Sequence, residues 1–171
     1  MQQAEQDLLV LEAQSGNAQA LECLIAVFHP LLVQFATSLS GNHALAKDAV
    51  QDVWLKIAKK LRQLNDPRAF RSWLYRAVRW RVSELMRGKA EQFERLDESV
   101  ATTELDETEI ENRALRRLVH QLADTEREVI YLHYLAELSV AEMALVLEIP
   151  AGTVKSRLSR ARKQLQQMID S

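Results

Sequence analysis

The amino-acid sequence predicts an all-α protein, with an N-terminal helical bundle and a C-terminal helix-turn-helix domain joined by a flexible acidic linker. Three observations lead there. With four glycines and three prolines in 171 residues, and 47% hydrophobic residues, the chain has few helix breakers and enough apolar surface to bury a core. Apolar residues recur at helical spacing in segment after segment, and no run alternates as a strand would. Charge is segregated along the chain, although the net charge is only −2. Residues 1–90 carry twelve Lys/Arg against eight Asp/Glu, residues 91–112 carry Arg95 alone against nine Asp/Glu, and residues 113–171 carry nine Lys/Arg against seven Asp/Glu. The acidic stretch is poor in large apolar groups and cannot offset its own ordering entropy. The expected division is therefore 1–90, a linker over 91–110, and 111–171.

Four helices are expected in the first part. One covers about Glu5–Gln14 and ends at Ser15-Gly16-Asn17; a second starts near Ala18, bends near Pro30 and ends at Ser40-Gly41. A third, from His43 to Leu64, aligns Leu45, Ala49, Val53, Ile57 and Leu61 on one stripe. The fourth opens with Asp66 as cap and Pro67 at the first helical position, and Gly88 is expected to end it. Its apolar stripe is Phe70, Trp73, Leu74, Ala77, Val78, Val82 and Leu85. At 100° per residue, Arg76, Arg79 and Arg87 share the opposite face, with Trp80 at the border. Such a surface suits single-stranded nucleic acid, whose backbone arginines follow and whose bases stack on aromatics. A solvated basic face with a core-edge tryptophan is the plainer alternative.

Beyond the acidic stretch, a helix is expected over Glu111–Leu122, and Thr125 with Glu128 reads as a capping box that opens another through about Leu135. Ser139 and Glu142 form a second capping box; the helix they open should run to about Leu147 and stop before Pro150. In the last helix Val154, Leu158, Ala161, Leu165 and Met168 face a core, while Lys155, Arg157, Arg160, Arg162 and Lys163 occupy the rest. No acidic residue lies between Ala151 and Gln167. A helix apolar on one side and cationic on the other suits the DNA major groove, where phosphate neutralisation supplies affinity and polar residues at the helix start reach base edges. An ordinary solvated helix pair would share the bare pattern.

Several classes of function find little support. No segment is expected to reach the uninterrupted apolar length of a membrane span, and the N-terminus lacks the basic start of a signal peptide, so a cytoplasmic protein with no membrane insertion is expected. Cys23 is the single cysteine, which excludes an internal disulfide and argues against a cysteine-built zinc site; among Leu21, Leu24 and Ile25 it reads as a small core residue. His29, His43, His120 and His133 are scattered without metal-ligand spacing, and there is no glycine-rich phosphate loop or nucleophile motif. No metal, cofactor or small-molecule ligand is expected. A DNA-binding activator or repressor with an N-terminal sensor or dimer domain, and a helix-binding adaptor, remain as rival classes.

The motifs in order resemble the extracytoplasmic function (ECF) group of sigma-70 factors, from about Leu8 to Leu165. Asp48-Ala-Val-Gln51-Asp52-Val-Trp-Leu55-Lys56 resembles the group's core-binding motif. Asp66-Pro-Arg-Ala-Phe70-Arg-Ser-Trp73-Leu74-Tyr75-Arg76 resembles the segment after the −10 recognition loop, and Glu128–Leu165 is similar to the −35 reader. The resemblance implies a transcription initiation factor, not an enzyme, whose partners are core RNA polymerase and promoter DNA. It implies that Asp48, Gln51, Asp52, Leu55 and Lys56 grip the polymerase. Asn65, Asp66 and Arg68 would lie in the loop that captures an unpaired −10 base, with Arg76, Arg79 and Trp80 beside it. Lys155, Ser156 and Ser159 would face −35 bases, while Thr153, Arg157 and Arg160 hold phosphates. Many members are held inactive by an anti-sigma factor, which makes one a candidate partner. Four residues depart from the group: Trp80 where Asn is frequent, Ala58 at a commonly aromatic position, and Glu137 and Glu148 at common glycine positions. A left-handed Glu148 would cost roughly 1 kcal/mol against glycine.

Overall fold

A computed structural model describes residues 1–90 and 107–171. Its elements are α1 (Gln3–Gln14), α2 (Ala18–Ser40), α3 (His43–Lys60), α4 (Phe70–Ala90), α5 (Glu107–His120), α6 (Asp124–Ile130), α7 (Val140–Leu147) and α8 (Ala151–Ile169), with no strand among the described residues. The all-α expectation holds. The flexible linker expected over 91–110 falls mostly outside the described residues, and its last four positions belong to α5, which starts at Glu107.

Caps explain most boundaries in the N-terminal half. Asn17 Oδ1 accepts from the backbone N–H of Gln19 and Ala20 at 3.1 and 3.3 Å, and Asn42 Oδ1 accepts from Leu45 N–H at 3.0 Å. These bonds satisfy donors that a helix start leaves unpaired. Gly41 ends α2 at φ 65°, a left-handed position that glycine takes without strain. Between α3 and α4 the chain makes two 3₁₀ turns, Leu61–Gln63 and Pro67–Ala69, the second capped by Asp66. Gly88 does not end α4, which continues to Ala90. Its φ is not left-handed, so it lacks the geometry of a C-terminal stop.

Helices α2, α3 and α4 bury a shared core. Phe28 meets Phe70 edge-to-face at 5.7 Å between ring centroids, and Phe35 meets Tyr75 at 5.4 Å. Each such pair adds about 0.5–1.5 kcal/mol beyond its buried area. Tyr75, outside the expected stripe, is buried, and burial pushes its phenol above the ordinary range. Two expectations need correction here. α2 is long and apolar enough to cross a membrane by length and composition, with mean hydropathy 1.6. It lies within the bundle, where Leu24, Phe28, Leu32, Phe35 and Ala36 are buried. Cys23 is exposed, because the buried face of α2 runs through Ala20, Leu24 and Phe28 and Cys23 points elsewhere.

In the C-terminal half the Ser139–Glu142 capping box forms as expected, with both reciprocal bonds at 3.1 and 2.7 Å. The Thr125–Glu128 box does not. α6 starts at Asp124 with no side-chain cap; Thr125 Oγ1 instead donates to Glu126 Oε2 at 2.8 Å, while Glu128 pairs with Arg79 of α4. A single π turn, Tyr131–Leu135, follows α6, and Glu137 and Glu148 adopt left-handed φ of 54° and 56°. The two halves touch: α7 packs on α4, and α6 on α2.

Candidate nucleic-acid and polymerase interfaces

On α3 the apolar stripe is buried, which turns Asp48, Gln51, Leu55 and Lys56 outward. Leu55 is 60% exposed on that outward face. Asp52 differs from its neighbours. Its Oδ2 accepts from Arg81 Nε at 2.9 Å, so this half-exposed carboxylate ties α3 to α4 in addition to any role outside the fold.

The loop before α4 is held from behind. Gln14 Nε2 of α1 donates to the carbonyls of Leu61 and Leu64 at 2.9 and 2.7 Å, leaving Asn65 exposed at the tip. Asp66 accepts from Arg68 N–H at 3.0 Å and pairs with its guanidinium, which holds the Asp66 carboxyl below the usual carboxylate range. Arg68 thus folds back on the cap while remaining exposed.

On the basic face of α4 the expected residues do come together, joined by carboxylates that periodicity did not suggest. Arg79 Nε donates to Glu128 Oε1 at 2.6 Å, Arg76 contacts Glu148 Oε1 at 2.5 Å, and Arg71 lies 3.7 Å from Glu142. Trp80 is 48% exposed, about half of its surface being covered at the border of the bundle. With Leu39, Arg79, Met86, Arg87, Glu128 and Glu148 it lines an open groove of about 590 Å³ between the halves. Glu128 is buried, which pushes its carboxyl upward while the Arg79 charge and hydrogen bond pull it down. The signal that could have found Glu128 is its place beside the apolar run Val129-Ile130-Tyr131-Leu132, where a charge needs a partner.

On α8, Val154, Leu158 and Ala161 are buried, and Leu165 and Met168 partly so. Lys155, Ser156, Ser159 and Arg160 are exposed, and Thr153 and Arg157 are half-buried. Ser156 Oγ donates to Gly152 O at 3.0 Å within the first turn, and Arg160 Nε lies 3.7 Å from Glu126 Oε1. Arg162, by contrast, turns to Tyr134, donating to its hydroxyl at 2.8 Å and lying 5.7 Å from the ring centroid. Among the described residues no group of His, Cys, Asp and Glu is arranged to hold a metal.

The family model for sigma-70 region 2 matches residues 24–91, and that for sigma-70 region 4 matches residues 112–165. The chain is 30% identical to the RNA polymerase sigma factor CnrH of Cupriavidus metallidurans, over 96% of this chain and 94% of the relative. It is 27% identical to the ECF RNA polymerase sigma factor SigW of Bacillus subtilis, over 94% of each. Its fold is similar to that of the sigma factor RpoE from Bartonella quintana, solved with the anti-sigma factor NepR, with TM-score 0.72, 28% identity, and coverage of 87% of this chain and 96% of that one. With both region models in order and a 30% identical relative over nearly its whole length, the chain belongs to the extracytoplasmic function group of sigma-70 RNA polymerase sigma factors.

Proposed function

We propose that residues 1–90 hold core RNA polymerase and the −10 element, that residues 111–171 read the −35 element, and that 91–110 connect them. The observation that carries this reading is α8, whose buried stripe presents Lys155, Ser156 and Ser159 from the start of a cationic helix. Polar side chains near the start of a docked helix reach base edges, while Thr153, Arg157 and Arg160 are placed for phosphates. Asn65, Asp66 and Arg68 would capture an unpaired −10 base, and Arg76, Arg79 and Trp80 would take the adjoining strand. Such a factor acts without catalytic groups of its own and works in the cytoplasm, where its polymerase is.

On the polymerase side, Asp48, Gln51, Asp52, Leu55 and Lys56 supply the contact, with bare Leu55 as its apolar anchor. Because Asp52 also binds Arg81, Gln51→Ala with Leu55→Arg is the cleaner probe. The double variant should keep its helical circular dichroism, lose co-elution with core polymerase in size-exclusion chromatography, and lose runoff transcription. Unchanged assembly would remove α3 from the interface.

RpoE of Bartonella quintana is solved with an anti-sigma factor, and on that similarity a regulatory protein of the same kind is a partner for this chain. The groove beside Trp80 and Met86 is its natural seat, since an amphipathic helix could cover the exposed apolar edges there.

A further inference from the structure

Helix α1 reaches the loop before α4 from both of its ends. Gln14, its last residue, is half-buried, and its side-chain amide nitrogen donates to Leu61 O at 2.9 Å and to Leu64 O at 2.7 Å. Gln3, its first residue, accepts from Arg71 Nη2 at 3.1 Å, just past the far end of the loop. These partners are 47, 50 and 68 residues apart in sequence, so none of the three bonds belongs to the local pattern of a helix or turn.

The two carbonyls that Gln14 holds are not equivalent. Leu61 O also accepts from Leu64 N–H at 3.1 Å, which closes the 3₁₀ turn, so Gln14 is its second donor. Leu64 O lies where the backbone has left that turn for an extended conformation, with φ −74° and ψ 112°. A peptide unit is planar and trans, so fixing the direction of Leu64 C=O also fixes the N–H of Asn65 on the opposite side of the same plane. Asn65 is exposed, and beyond it Asp66 accepts from Arg68 N–H at 3.0 Å. The loop tip is held on one side by α1 and on the other by its own cap.

We propose that Gln14 is a positioning residue for −10 recognition, orienting the Leu64–Asn65 peptide from behind so that Asn65 meets an unpaired base in one conformation. The role rests on the assignment of Asn65, Asp66 and Arg68 to base capture. The chemistry required at position 14 is hydrogen-bond donation, because both targets are carbonyl oxygens. A preset loop lowers the ordering cost of binding and favours the base that fits its one conformation, so loosening it removes affinity and base preference together.

The test uses holoenzyme assembled from the full chain, on promoters with each −10 base substituted in turn, with thermal midpoints measured alongside. Gln14→Leu keeps the bulk and removes the donor, Gln14→Glu keeps the shape and sets an acceptor against two carbonyls, and Gln14→Lys restores a donor. Gln14→Leu should weaken binding to the preferred promoter about three- to tenfold, as loss of one or two hydrogen bonds does, and flatten preference at the position that Asn65→Ala also affects. Gln14→Glu should flatten it further, and Gln14→Lys should recover most of it. If Gln14→Leu does not fold, the contrast between Gln14→Glu and Gln14→Lys carries the test, because a change of charge alone shifts binding to every promoter alike and leaves the ratio between bases as it was. A lowered midpoint or a uniform loss with the base ratio intact, while Asn65→Ala abolishes that ratio, would reduce Gln14 to a stabilising contact and overturn the proposal, leaving base capture standing. A ratio as flat in Gln14→Lys as in Gln14→Leu would overturn it too. If Asn65→Ala leaves the ratio intact, the capture assignment falls, and the role given to Gln14 falls with it.

Discussion

Helices α4 and α8 carry basic faces of nearly the same composition, and the two faces have different surroundings. On α4, Arg71, Arg76 and Arg79 each meet a carboxylate from the other half of the chain. On α8, Lys155 and Lys163 are exposed and form no ion pair among the described residues, and Arg160 has only a 3.7 Å neighbour in Glu126. A periodic row of arginines shows where positive charge lies. Whether that charge is available is decided by what packs opposite it, and here the packing leaves α8 open and α4 engaged.

The largest expected effect tests what holds the open face in place. Leu158→Ala empties a buried site between α8 and the rest of the C-terminal half, and should cost about 2–5 kcal/mol of stability. A lowered thermal midpoint, with −35 binding lost in proportion, would show that the DNA face depends on the stripe behind it. If −35 binding survived with the midpoint unchanged, α8 would not owe its position to that core.

Next, Lys155→Ala should change −35 base preference and cost about 1–3 kcal/mol on the best site, measured with holoenzyme on a panel of single-base promoter variants. An equal loss on every promoter would move Lys155 to the phosphate-binding set. On the α4 side the matching change is Trp80→Ala. Because the indole is 48% exposed, the thermal midpoint should stay near that of the unmodified protein. Open-complex formation should slow, reflecting up to about 1–3 kcal/mol of lost base stacking, and a promoter already mismatched at −10 should rescue it. A lower midpoint without rescue would return Trp80 to the core.

The smallest effect separates phosphate from base contacts on the open face. Arg160→Ala should weaken holoenzyme binding about equally on all promoters and reduce the magnitude of the salt slope by about 1. A promoter-dependent loss would instead make Arg160 a base reader.

The amino-acid sequence by itself determined the all-α class, most helix boundaries and the buried stripes of α3, α4 and α8, because these depend on spacings of three and four residues and on caps within three. It also ordered the motifs, so the stretches that match sigma-70 regions 2 and 4 were legible from local pattern alone. Tertiary structure alone decided that Cys23 is exposed, that α4 runs past Gly88, and that Asp52 braces α3 against α4. The Thr125–Glu128 box shows the reason most directly. Locally its residues suit a cap, but Arg79 lies 49 residues away in sequence and 2.6 Å away in space, and it takes the carboxylate. Local pattern reports which groups a helix carries. Which of them remain free for DNA depends on charges brought from the other half, and only the folded chain sets those distances.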